Sequence, residues 1–300
     1  MPVPHSTRPI ISNVASDLEA IWPLREPGRR TRVLGILNVT PDSFHDGGQY
    51  TDLTSAVERA VALVDAGADG LDVGAESSRP GASAVPVEEE LARLLPVLER
   101  VRELGVPVSV DTVKASVAER ALDAGASIVN DISGLRHDPR MRAVCARAHC
   151  PVILMHMRGS PRTMQSSTTY DDVVTETRAY LETEVETAVR AGIRRERIVV
   201  DPGIGFAKTA DHNLEILDRL GEYLTIGRPI LIGASRKSFL GRFGGREPID
   251  RLAATLAVSA LAVDRGASVL RVHDVAENLR VVRTVEAIAD SRTARMGDVP

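Results

Sequence analysis

Residues 32–48 read RVLGILNVTPDSFHDGG, and the stretch changes character at Asn38. Before it, Val33, Leu34, Ile36 and Leu37 form a short apolar run, as expected of a strand buried on both faces in a parallel sheet. After it, Thr40, Pro41, Asp42, Ser43, Asp46, Gly47 and Gly48 are turn formers with polar side chains. A buried strand that opens into a polar, glycine-ended loop matches the edge of an α/β protein where ligands sit, at the carboxyl ends of the strands. An ordinary strand followed by a loop would read the same way, so the rest of the chain has to decide.

From Arg32 onward, short apolar runs alternate with helical periodicity. The runs at 32–38, 70–74, 106–111, 127–131, 151–156, 197–201, 229–233 and 268–272 read as strands. Stretches at 53–66, 87–104, up to 124, 140–148, 171–191, 212–220, 249–263 and 276–289 carry apolar residues at three-four spacing. Leu91, Leu94, Leu95, Leu98 and Val101 show this most clearly, and Gly105 follows that helix where a C-cap glycine belongs. Eight strand–helix units at roughly 30-residue spacing are the count and size of an α/β (β/α)8 TIM barrel. The units share no sequence signature, so they are not a solenoid repeat. A doubly wound open sheet is the alternative, but it would gather ligand groups at one switch point. We expect a single domain over 31–290, an N-terminal extension over 1–30 and a C-terminal tail over 291–300.

Composition excludes several classes of function. The chain has 300 residues, 43% hydrophobic and 26% charged, with a net charge of −4, which leaves no footprint for a polyanion. Aromatics at 3% supply few stacking surfaces for single-stranded nucleic acid. No apolar run approaches the length needed to span a bilayer, and the first residues lack the pattern of a secretory signal. Cys145 and Cys150 have no metal-site spacing and cannot build a disulfide framework; we expect buried bystanders in a cytoplasmic protein.

The strand ends carry the chemistry. In chain order they present Asn38; Glu76, Ser77, Ser78 and Arg79; Asp111; Asn130 and Asp131; His156; Asp201; Ser235, Arg236 and Lys237; and Arg271, His273 and Asp274. The opposite turns are alanine and glycine. Helix capping explains a few Asp and Asn residues at such ends, but not the arginines, lysine and histidines. Asp111, Asn130 and Asp201 suit a flat nitrogen heterocycle with N–H edges. Arg271 and His273, two apart on a strand, leave on one face and with Ser78 and Arg79 suit a phosphate or diphosphate. Lys237 could serve either half. Asn38 is a neutral oxygen donor able to complete a Mg²⁺ shell whose other ligands are phosphate oxygens and water. Asp72 is expected to support the barrel interior, and Glu88, Glu89 and Glu90 to form a solvated first helical turn.

NVTPDSFHDGG, DVGAESSRPGA, VSVDT, IVNDISG, VILMHM, VVDPGIGFAKT, IGASRKSFLG and RVHDV, in this order, resemble the motif set of the dihydropteroate synthases. The resemblance runs from about Arg32 to the last helix. It implies a barrel, commonly dimeric, that joins a dihydropterin diphosphate to p-aminobenzoate in folate biosynthesis. It also implies that Asp111, Asn130, Asp201, Gly233 and Lys237 line a pterin pocket with Ile132 and Met155 on the pterin face. Arg271 and His273 would hold the diphosphate, and Asn38 the Mg²⁺. Phe44 and Asp46 fall in a first substrate loop, and Ser78, Arg79 and Pro80 in a second. Ser235 and Phe206 would stand near the carboxylate and ring of p-aminobenzoate. Asn38, Asp46, Lys237, Arg271 and His273 are the residues expected to act on the reacting groups. Ser78 stands where threonine is common, and His45 where a small residue is usual; an exposed loop histidine without a role is the simpler account of the latter. A pterin module of a corrinoid methyltransferase and a non-catalytic pterin-binding homologue are the rival readings. The two substrate loops and the SRK lysine argue against the first, and the intact polar set against the second.

Overall fold

The computed structural model describes residues 30–40 and 49–297. Eight strands, β1 (Arg32–Asn38), β2 (Gly70–Gly74), β3 (Val108–Asp111), β4 (Ile128–Asp131), β5 (Val152–Met155), β6 (Ile198–Asp201), β7 (Leu231–Ile232) and β8 (Val269–Val272), run parallel. Their hydrogen-bonded order is β6-β5-β4-β3-β2-β1-β8-β7. A parallel bridge between Val200 and Ile230, with Val200 N donating to Pro229 O at 2.9 Å, joins the two ends. The sheet therefore closes into a (β/α)8 barrel, and the open-sheet alternative falls. Eight principal helices lie outside it: α1 (Gln49–Asp65), α2 (Val87–Val101), α3 (Ala115–Asp123), α4 (Met141–Ala148), α5 (Val173–Arg190), α6 (Ala210–Asp218), α7 (Leu252–Asp264) and α8 (Val275–Gly297).

Two apolar cores follow from the alternation of side chains along each strand. The larger one lies between barrel and helices, where Leu37, Leu71, Val73, Val110, Val129, Leu154 and Val200 meet Ala60, Leu63, Leu94, Leu98 and Leu181. At Gly35 α1 comes so near that an added Cβ would stand 3.2 Å from Leu63 Cβ. The smaller one plugs the barrel itself with Leu34, Ile128, Ile153, Val199, Leu231 and Val269. Two residues further along β4, β6 and β8 the inward positions are Asn130, Asp201 and Arg271. A polar layer thus stands on an apolar plug, at the carboxyl end of the barrel.

Three expectations need revision or fall out of reach. The last helix does not end near 289 but continues to Gly297, so 291–297 are not a patternless tail. Ala, Arg and Met favour helix without needing an apolar face. The seventh strand shortens to Leu231–Ile232 because Pro229 has no N–H to give a ladder. The proposed extension lies outside the described residues except Arg30, which is paired with Asp69. Cys145 and Cys150 are buried and free, as expected.

Candidate active site

The polar layer is held together by its own charges. Arg271 donates Nε to Asp72 of β2 and Nη2 to Asp111 Oδ2 of β3 at 2.8 Å. Asn130 of β4 donates Nδ2 to Asp72 Oδ2 at 3.2 Å. Asp72 is 0 % exposed, so its two partners satisfy a carboxylate that would otherwise be stranded. On the far side, Asp201 Oδ1 accepts from Gly203 N at 2.7 Å. Lys237 donates to Ile204 O and stands 4.1 Å over the ring of Phe206. Gly233, just after β7, lies beside the Arg271 stem, which would stand 3.8 Å from an added Cβ, an ordinary contact.

Burial sets the proton balance in this layer. It pushes Asp111 up to about 7, against the pull of Arg271 and with the push of Asp72. It raises Asp201 as well, opposed by the Gly203 N–H and by Lys237. The same burial brings Lys237 down to about 7, opposed by Asp201. Arg271 is held above the usual guanidinium value by Asp72 and Asp111 in spite of its burial. At the end of β8, Ser235 Oγ lies 3.0 Å from His273 Nδ1, and Arg59 of α1 donates to His273 O at 2.8 Å. Burial, with Arg271 and Arg236 adding to it, lowers His273 to about 4. His273 is therefore a neutral imidazole near pH 7, as burial and the neighbouring arginines both require.

One wall of the mouth is apolar. Ile132, Met155, Met157, Met164, Phe206 and Ala207 pack together, with Val113 against them. A planar ring set on the acids beneath would meet this wall with its face. The β2 loop, with half-buried Ser78 and exposed Arg79 and Pro80, touches the β5 loop where Gly81 N donates to Pro161 O at 3.2 Å. Its base is fixed by Arg93 Nη1 on Ala75 O at 3.0 Å and by Glu76 Oε1, which accepts from Val85 N at 3.2 Å.

The chain that builds this polar layer and apolar wall is similar to known proteins. The model of the pterin binding enzymes matches residues 34–273. Dihydropteroate synthase from Synechocystis is 45% identical over 263 residues, covering 87% of this chain and 91% of that protein. The chain belongs to the dihydropteroate synthase family of pterin binding enzymes. A probable bifunctional folylpolyglutamate synthase/dihydropteroate synthase of Haloferax volcanii is 51% identical over 260 residues; the match takes 87% of this chain but only 31% of that longer protein. A solved dihydropteroate synthase from Xanthomonas albilineans with 4-aminobenzoic acid superposes with a TM-score of 0.82 at 44% identity, over 90% of this chain and 94% of that one.

Within that family frame, the structure brings Asp111, Asn130, Asp201, Gly233, Ser235, Lys237, Arg271 and His273 to one mouth, with Ile132, Met155 and Phe206 beside them. Asn38 ends β1 exposed at the rim. Phe44 and Asp46, and His45 between them, lie outside the described residues. Four other strand-end residues do not join the mouth. Asp131 turns to the helix side and accepts from Ser133 N at 2.7 Å. His156 packs edge-on against Tyr180, ring centroids 4.7 Å apart. Arg236 and Asp274 are paired with each other, Nε to Oδ2 at 2.9 Å.

Glu90 corrects the reading of the acidic helical turn. It is 0 % exposed, accepts from Thr112 Oγ1 at 2.7 Å and is paired with Lys114 Nζ at 2.5 Å; Lys114 is also paired with Glu76. Only Glu88 and Glu89 face solvent. The network ties the base of the β2 loop to the β3 loop, and sequence reasoning missed Lys114 because its partners are distant in the chain.

For a metal, Asn38 offers a single neutral oxygen, and among the described residues no group of three or more His, Cys, Asp or Glu forms a cage. That donor set fits Mg²⁺ only in the form in which it brings water and phosphate oxygens as its other ligands.

Proposed function

We propose that this site joins (7,8-dihydropterin-6-yl)methyl diphosphate to p-aminobenzoate, giving 7,8-dihydropteroate and diphosphate in folate biosynthesis. One observation carries the reading: Asp111, Asn130, Asp201 and Lys237 ring an apolar-walled space, while Arg271 and His273 stand at its β8 side. Acceptors facing the N–H edges of a pterin discriminate well, because an analogue without those donors would leave a buried carboxylate unpaired. Lys237, poised near 7 between Asp201 and the Phe206 ring, can hold or release a proton at the pterin edge.

Arg271 is fixed in place by two carboxylates, so its charge needs no reorientation when negative charge grows on the departing diphosphate. His273, neutral and oriented by Ser235, can donate from its other ring nitrogen to a diphosphate oxygen. Asn38 would hold Mg²⁺, which when bound supplies positive charge to the diphosphate oxygens. Departure of diphosphate leaves a methylene cation stabilised by the pterin ring, and the amine of p-aminobenzoate attacks it along the side walled by Phe206. Ser78, Arg79 and Pro80, with Phe44 and Asp46, would cover that approach. The chain forms no covalent bond to substrate in this scheme, and the rate comes from positioning and charge.

The pairing of copies into a homodimer is part of the same reading. Exposed Leu261 on α7 and Ile288 on α8 supply apolar surface for it. A cytoplasmic location accords with small charged substrates; among the described residues no helix is long and apolar enough to cross a membrane. The deciding experiment is diphosphate release with both substrates and Mg²⁺, with dihydropteroate followed in parallel. Pterin binding without any release would return the chain to a non-catalytic role.

A further inference from the structure

The loop after β6 is held by an unusual means. Three of its carbonyls are taken by side chains, two from other parts of the fold and one from the loop itself. Ile204 O accepts from Lys237 Nζ, Phe206 O from Lys208 Nζ at 3.0 Å, and Ala207 O from Tyr170 Oη at 2.9 Å. Gly205 N donates to Asn213 Oδ1 at 2.7 Å, which fixes a fourth point. Ala207 has φ of 51°, a left-handed conformation that a residue with a Cβ adopts only when its surroundings hold it there. Gly203 packs so closely on the end of β5 that a Cβ there would lie 2.0 Å from His156 O.

Lys208 is the member of this set that packing alone does not explain. It is 3 % exposed, and among the described residues its Nζ meets Phe206 O and His156 Nδ1, the latter at 2.9 Å, but no carboxylate within hydrogen-bond distance. Burial pushes the Lys208 amine well below the ordinary lysine value, against the pull of Asp201, and burying that polar group costs stability that an apolar side chain of similar length would not. Lys208 Nζ and His156 Nδ1 share one hydrogen bond across the two loops, whichever of the two carries the hydrogen. Burial, with Lys208 and Arg158 adding to it, keeps His156 neutral. The pair thus bolts the β6 loop to the end of β5.

We propose that Lys208 and Tyr170 are positioning residues: with Lys237 they hold the β6-loop carbonyls so that Phe206 meets the ring of the amine substrate in one orientation. The inference rests on the reading above that Phe206 walls the p-aminobenzoate approach. Neither residue touches substrate. A Phe206 ring free to tilt would present its face to the amine in many orientations, so ground state and transition state would lose the same contact and the loss would fall on binding of that substrate.

The test is a double-mutant cycle on steady-state kinetics. K208M is expected to raise KM for p-aminobenzoate about tenfold, leave kcat within about threefold and leave pterin diphosphate affinity unchanged, the pattern of lost uniform binding of one substrate. In an F206A background the same substitution should raise that KM less than twofold, because the group through which Lys208 acts is gone. Y170F buries no charge and keeps the ring; it is expected to raise the p-aminobenzoate KM about threefold, also only in the presence of Phe206, and it decides the matter should K208M not fold. If F206A itself leaves the p-aminobenzoate KM unchanged, the placement of Phe206 in the proposed function is wrong. If F206A raises it but K208M and Y170F do nothing, or act equally with and without Phe206, the positioning role is overturned.

Discussion

Replacing Asp201 by asparagine separates binding chemistry from fold. Asp201 is buried and its Oδ1 is taken by Gly203 N at 2.7 Å, so a pterin N–H would be met by its other oxygen. An asparagine keeps the bond to Gly203 N through its own oxygen and turns the free atom into an amino group. A pterin N–H then meets a donor. The change removes one charge-assisted hydrogen bond, about 1.5–3 kcal/mol, and leaves a buried donor unpaired, about 1–3 kcal/mol. Together they come to about 2.5–6 kcal/mol, or on the order of 10² to 10⁴ in kcat/KM for the pterin diphosphate. Stability moves the other way or not at all, since burial already works against the Asp201 charge and asparagine carries none. Calorimetry of pterin binding, diphosphate release and thermal unfolding should be run on one preparation. Affinity for the pterin diphosphate within tenfold of the native protein would refute the argument; so would a loss matched by a collapse of the unfolding midpoint.

Three further outcomes follow from the same geometry. K114M strands Glu90, which is 0 % exposed, and should cost about 3–5 kcal/mol, an unfolding midpoint lower by roughly 6–20 °C; E90Q/K114M should recover most of it, and a single-variant loss below about 2 °C would show that Glu90 needs no partner. His273 is held at about 4 against an ordinary 6.5, so in the unfolded chain it takes a proton first; its contribution to stability is complete above pH 6.5 and fades as pH falls through 4, and H273Q should flatten denaturant-midpoint profiles in that window. Removing Mg²⁺ with EDTA should abolish diphosphate release while a pterin lacking the diphosphate still binds with unchanged affinity, since Asp111, Asn130 and Asp201 need no metal; equal loss of both would place a cation in the pterin pocket itself.

Most of the barrel could be read because its signals are local. An apolar run followed by three-four spacing is visible within one unit, and the eight repeats of it count the strands. The helix boundaries moved by a few residues, as at α1, where the sequence QYTD at 49–52 shows no three-four apolar spacing, and at α8, which runs on to Gly297. The inward polar set was also readable where a strand continues: Asn130 and Asp201 stand two residues after Ile128 and Val199, and alternation carries them to the same face. Alternation stops where the strand does. Arg236 follows Ser235 by one residue, but a φ of 57° turns it away to Asp274, and nothing in ASRKS announces that turn.

The sequence by itself determined eight strand–helix units with chemistry at the strand ends, because side-chain period and turn residues are properties of neighbours in the chain. Only the tertiary structure decided who faces whom. Closure of β6 on β7, the sharing of Arg271 between Asp72 and Asp111, the Glu90–Lys114 pair and the Lys208–His156 bolt join residues brought near by the curvature of the whole barrel. A run of three glutamates or a lone lysine in a glycine-rich loop looks solvated until the fold shows that water has been excluded from it, and burial, not identity, then sets its charge and its partner.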